Sequence, residues 1–112
     1  GRALAPLRDD GVLVLASGGM VHNLGRIDWD GGKPPAWASN FEGWVREKLA
    51  ANDVDALLAY REKAPDLKLA HPTDDHFVPL LVALGAGAGA KVTFPIDGFE
   101  YGSLSRCAVR FG

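Results

Sequence analysis

The chain has 112 residues, enough for one modest core and too few for two domains, and its 47% hydrophobic and 23% charged residues are those of an ordinary soluble globular protein. Twelve basic and 14 acidic residues are spread along it for a net charge of -2, which excludes an electrostatic footprint for nucleic acid or an anionic membrane and favours a small-molecule or protein partner. The longest apolar stretches, such as Val12 to Ala16 and Val78 to Ala86, fall far short of the roughly 20 residues a membrane-spanning helix requires.

In chain order, Gly1 to Gly11 reads as the tail of a helix already under way, closed by a glycine stop and lacking its own N-cap, as though the chain were cut from something longer. Gly11-Val12-Leu13-Val14-Leu15-Ala16 is a continuous apolar run bounded by glycine, the pattern of a strand buried on both faces of an α/β sheet. Ser17-Gly18-Gly19 breaks it and can bring backbone close to a ligand, with His22 in or beside the crevice. Gly25 to Pro35, with Asp28, Asp30, Gly31, Gly32, Pro34, Pro35 and a lone Trp29, is expected to be a surface loop or lid.

Ser39 and Glu42 have the form of a capping box that opens a helix to about Ala51, with Phe41, Trp44, Val45, Lys48 and Leu49 on one side. Asp53 can cap a further short helix carrying Val54, Leu57, Leu58 and Tyr60, after which Arg61 to Lys68 reads as a polar exit through Pro65. Thr73 can cap the next helix, with Asp74 and Asp75 suited to its positive end, His76 in its first turn, and Phe77, Leu80, Leu81 and Leu84 at helical spacing. Gly85 to Ala90 is a helix end and connection, and two strands follow, Lys91 to Ile96 and roughly Ser103 to Phe111, with a turn at Asp97-Gly98. The predicted class is α/β, a mixed-sheet core flanked by helices.

Chemistry concentrates in two segments, Ala16 to Leu24 and His71 to Leu81, which hold all three histidines. An imidazole, with an ordinary pKa near 6.5, can move protons at working pH or bind a divalent metal through a neutral nitrogen. His22 and His76 are the candidates, with a plain surface residue as the alternative for each; His71 reads as a loop residue rather than a ligand. No His-x-x-x-His, His-Glu-x-x-His or cysteine cluster occurs, so no complete metal site is legible from local spacing. Asp74 and Asp75 are explained by the helix dipole. Ser17 lies in Ala-Ser-Gly-Gly rather than Gly-x-Ser-x-Gly, which makes a serine hydrolase the weakest reading. Cys107 stands alone, which excludes an internal disulfide; it reads as a small buried apolar residue, and a reducing cytoplasm is the expected setting. Trp29, Trp37 and Trp44 read as packing.

Taken together, Leu15-Ala16-Ser17-Gly18-Gly19-Met20-Val21-His22-Asn23-Leu24, Trp37-Ala38 with Phe41, His71 to Ala86, and Gly102-Ser103-Leu104-Ser105 closely resemble the C-terminal part of the class III extradiol ring-cleaving dioxygenases, nearest the 4,5-DOPA dioxygenase-like branch. The resemblance runs over essentially all 112 residues and implies that residues 1–112 are the C-terminal portion of one catalytic domain. It implies a non-haem enzyme using Fe(II) or Zn(II) to open a catechol-type ring with O2. It implies a metal ligand at His76, and at His22 an acid/base beside the metal that is a ligand too in zinc-bound forms. Gly19-Met20, where the family often carries Asn after the glycine, and His71, where a non-histidine is common, depart from the pattern. The family's other ligands come from His-Gly and Ser-Ala-His segments of an N-terminal half, and neither occurs here. The alternative is therefore a non-catalytic metal-binding or interaction fragment lacking those ligands.

Overall fold

Pro34-Pro35 sets the start of the main helix. In the computed structural model, which describes residues 1–112, helix α1 spans Ala36–Ala50 with Pro35 as its N-cap. The Pro35 carbonyl accepts from the Ala38 and Ser39 amides. The expected capping box therefore lies one turn inside the helix: the good helix formers Ala36 and Ala38 carry the helix back to proline. Glu42, released from a capping role, is buried and paired with Arg46 at 3.2 Å. Ala38, Phe41, Val45 and Leu49 form the inward stripe, at the i, i+3, i+4 spacing of a helix packed on a core.

Asp53 caps α2 (Val54–Leu58), its carboxylate accepting from the Ala56 amide at 3.1 Å. The stretch read as a polar exit folds instead into two single turns, α3 (Tyr60–Lys63) and α4 (Leu67–Ala70), because Tyr60 and Ala70 are buried in the core and supply the apolar contact that short helices need. Helix α5 (Val78–Ala86) starts later than expected. Thr73 spends its hydroxyl on Asp75, and the Asp74 carbonyl receives both the Phe77 and Val78 amides, so His76 sits in the turn before the helix rather than inside it. Pro79, which has no amide hydrogen to lose, occupies the first helical turn.

Four strands follow. β1 (Val92–Ile96) pairs antiparallel with β4 (Ala108–Phe111), and β2 (Phe99–Glu100) pairs antiparallel with β3 (Leu104–Ser105). The single last strand predicted from Ser103 is thus two, separated at Arg106-Cys107. The register of β1 and β4 slips between Thr93 and Ile96, where Pro95 cannot donate to the ladder. Arg46 ties α1 to the turn before β2: its guanidinium lies 2.6 Å from Asp97 and 4.5 Å above the Phe94 ring. The architecture is α/β, helices with small antiparallel sheets around a core of Met20, Val21, Phe41, Tyr60, Phe77 and Leu84.

Two N-terminal expectations change. Residues Arg2–Arg8 form a 3-10 helix rather than the end of an α-helix, and Arg8 reaches across to the Phe111 carbonyl at 2.8 Å. Gly11 takes φ +77, the left-handed turn that the glycine stop anticipated. The apolar run after it pairs with no strand: Leu13 and Leu15 are 84% and 82% exposed. Strand pairing is a nonlocal property, and none of the four strands in this chain hydrogen-bonds to the run. No helix is long and apolar enough to cross a membrane.

Candidate functional site

A four-point seam joins the two histidine segments. The Gly19 amide donates to the His76 carbonyl (2.9 Å), the His22 amide to the Ala70 carbonyl (3.0 Å), and the Asn23 side-chain amide to the Leu69 carbonyl (2.7 Å). The fourth bond joins His71 Nε2 to the Met20 carbonyl at 2.9 Å. Gly18 is what lets the seam close, because a Cβ there would collide with the His76 carbonyl oxygen. Gly18→Ala is therefore expected to push the two segments apart and to cost about 1–3 kcal/mol, the usual range for overpacking, as read by urea denaturation.

The seam lays the His22 and His76 rings on one another, with centroids 3.7 Å apart and planes 19° off parallel. Both imidazoles keep some solvent access, and the His76 side chain is 44% exposed. Asp75 Oδ2 is 3.3 Å from His76 Nε2, a carboxylate able to orient that ring, and Asp75 is itself held below the usual carboxylate range, first by the Thr73 hydroxyl. Two adjacent imidazoles backed by a carboxylate are a donor set that suits iron or zinc. They are fewer than the three or four protein ligands such a centre needs, and the chain contains no group of three or more His, Cys, Asp or Glu residues able to hold a metal.

Beside His76 a cleft of about 460 Å³ opens, with Gly18, Gly19, Met20, Pro79, Leu80 and Cys107 among its walls. His22 does not line it. The Cys107 thiol is pushed up to about 11, mainly by burial and secondarily by the Glu42 charge. It is half-buried, in line with the packing role expected from its neighbours. Alkylation by iodoacetamide should therefore be slow at neutral pH and accelerate only as the pH nears 11, because the thiolate is the reactive form. Rapid labelling at pH 7 would contradict this environment.

The other residues fall as follows. Ser17 is exposed and its hydroxyl is hydrogen-bonded to no imidazole, so no base is in place to activate it. A fluorophosphonate probe should leave the protein unlabelled. Asp74 is structural, as the dipole argument implied: the Tyr60 hydroxyl, first, and Arg61 lower its pKa, and the Tyr60 bond is 2.8 Å. Trp29 is 75% exposed in its loop and leans on Tyr101, whereas Trp37 and Trp44 pack against the core. Ser103 in the Gly102-Ser103-Leu104-Ser105 segment donates to the Arg26 carbonyl, and the Ser105 amide to the Val21 carbonyl, anchoring the far side of the His22 segment. His71 is a loop residue, as expected, but its burial was not read from sequence: it is 3% exposed, and its pKa is lowered chiefly by burial.

The fold is thus an α/β domain that stacks two histidines, one after a glycine turn and one from a pre-helical turn. Residues 1–112 match the family model "Catalytic LigB subunit of aromatic ring-opening dioxygenase", and the chain belongs to that family. It is 39% identical to the 4,5-DOPA dioxygenase extradiol of Escherichia coli K12 and 40% identical to that of Portulaca grandiflora. The alignments cover 100% and 99% of this chain but 43% and 42% of those proteins, so the chain spans less than half the length of these curated relatives. A crystal structure of an uncharacterized protein from Escherichia coli K12 superposes with a TM-score of 0.86 at 39% identity, over 99% of this chain and 47% of that one.

Proposed function

We propose that this chain supplies one part of the active site of a non-haem, metal-dependent extradiol dioxygenase, an enzyme that opens a catechol-type aromatic ring with O2. The observation that carries this reading is the stacked His22–His76 pair, of which His76 lines the cleft, in a chain of the ring-opening dioxygenase family. His76, braced by Asp75, is the metal ligand; Fe(II) or Zn(II) suits its imidazole. When bound, the metal offers one centre to the substrate hydroxyls and to O2. His22 takes the proton of a substrate hydroxyl on an imidazole nitrogen and returns it later, and in a zinc-loaded form it is a second ligand. The cleft volume is within the range of small-molecule sites, and its glycine and apolar walls suit a flat ring.

The remaining ligands are inferred to come from outside these 112 residues, since the relatives are more than twice as long. That same shortage supports the second reading, a non-catalytic metal-binding or interaction fragment. Native mass spectrometry of the purified protein separates the two. A companion polypeptide together with one bound metal ion supports the enzyme, and a bare chain that takes up no Fe(II) or Zn(II) supports the fragment.

A further inference from the structure

We propose that His71 is a positioning residue whose Nε2–H, donated to the Met20 carbonyl, holds the glycine turn so that His22 stacks on His76. The geometry of the pair stands by itself; its catalytic meaning rests on the function proposed above.

A core position walled by aromatic rings does not ordinarily call for an imidazole. The His71 ring lies 5.3 Å from Phe41 and 5.4 Å from Phe77, edge-on or tilted to both, where a leucine or phenylalanine would bury more apolar surface. The imidazole also carries a penalty, since Nδ1 is buried without a hydrogen-bond partner. What it supplies in return is a donor inside the core. The Met20 carbonyl lies in a segment without regular structure and accepts no backbone amide. A carbonyl can only accept, so Nε2 carries the proton and the bare nitrogen is Nδ1.

The position of this bond in the seam makes it specific to the site. Gly19–His76 lies at one end, His22–Ala70 and Asn23–Leu69 at the other, and His71–Met20 spans the interval between them. It is the one bond of the four whose donor is itself clamped in the aromatic core, through Phe41 of α1 and Phe77 before α5. The core therefore fixes the turn, and the turn fixes the His22 ring.

The test compares His71→Gln, whose side-chain amide reaches about as far as Nε2 and keeps the donor, with His71→Leu, which keeps an apolar filling and loses it. In the metal-free chain, NMR cross-peaks between the His22 and His76 rings are expected in the wild type and in His71→Gln and absent in a folded His71→Leu. With the rest of the family domain present, kcat on a catechol should fall about 100-fold in His71→Leu, the effect of displacing a reacting group by about 1 Å, and return to within about threefold in His71→Gln. Persistence of the ring cross-peaks in His71→Leu would overturn the proposal. If both variants fail to fold, the wild type decides: long-range proton–nitrogen correlation should find His71 neutral with the proton on Nε2, and a proton on Nδ1 overturns the assignment. A wild type with the cross-peaks and the tautomer but no ring-opening activity would sink the proposed function and leave the positioning role standing.

Discussion

Replacing His76 by alanine should abolish metal retention, whereas replacing His22 should leave most of the metal in place and remove turnover. The two rings are 3.7 Å apart, but their surroundings differ. His76 has a carboxylate, Asp75, at 3.3 Å and opens onto the cleft, the arrangement in which an outer acid orients a ligating ring. The seam runs through the backbone amide of His22 and leaves its imidazole uncommitted to any protein hydrogen bond beyond the stacking. Loss of outer partners alone typically weakens metal binding about 10–100-fold, so loss of the His76 ligand should exceed about 100-fold. Zn(II) titration of the protein carrying these residues together with the rest of the family domain reads the difference. Equal metal loss in both variants would make His22 chiefly a ligand.

The second large effect is on stability. Phe77 is fully buried and its ring meets those of Phe41 at 5.5 Å, Tyr60 at 4.7 Å and His71 at 5.4 Å. Truncation to alanine removes the centre of this cluster, and large-to-small changes of buried aromatics cost about 3–5 kcal/mol. A domain of this size commonly has about 5–15 kcal/mol in all, so Phe77→Ala should leave a marginal fold and, through the turn it anchors, a disordered histidine pair. Leu13→Ala is the matched control: its side chain is among the most exposed in the chain, and exposed substitutions usually stay within about 0.5 kcal/mol. Urea denaturation of the 112-residue chain measures both. A Leu13→Ala loss as large as that of Phe77→Ala would mean that the apolar run is buried.

These two residues also show what was legible beforehand. Features encoded within a few residues were read correctly: the Asp53 cap, the inward stripe of Phe41, Val45 and Leu49, the buried Phe77 and Leu84, and the strand from Val92. Features set by distant chain were not. Val12 to Ala16 has the composition of a central strand, but a strand exists only with a neighbour to bond, and sequence pattern carries no record of the neighbour. The start of α1 moved because Pro35 accepts the first amides, outcompeting the nearby Ser39–Glu42 pattern. The burial of the loop residue His71 was not legible because periodicity identifies buried faces only within helices and strands, whereas its burial arises where a loop crosses the aromatic core. The candidate pair, His22 and His76, was legible as two separate segments; that they touch depends on four bonds between residues about 50 apart in the chain.

The central claim is ring opening with O2 at the His22–His76 site. Its most direct test is to supply Fe(II), a catechol and isotopically heavy O2 to the protein carrying this chain with the rest of the family domain, and to weigh the product. A ring-opened product containing both heavy oxygen atoms, formed by the wild type and not by His76→Ala, is the predicted result. Unchanged catechol, or a product formed equally well without His76, would contradict it.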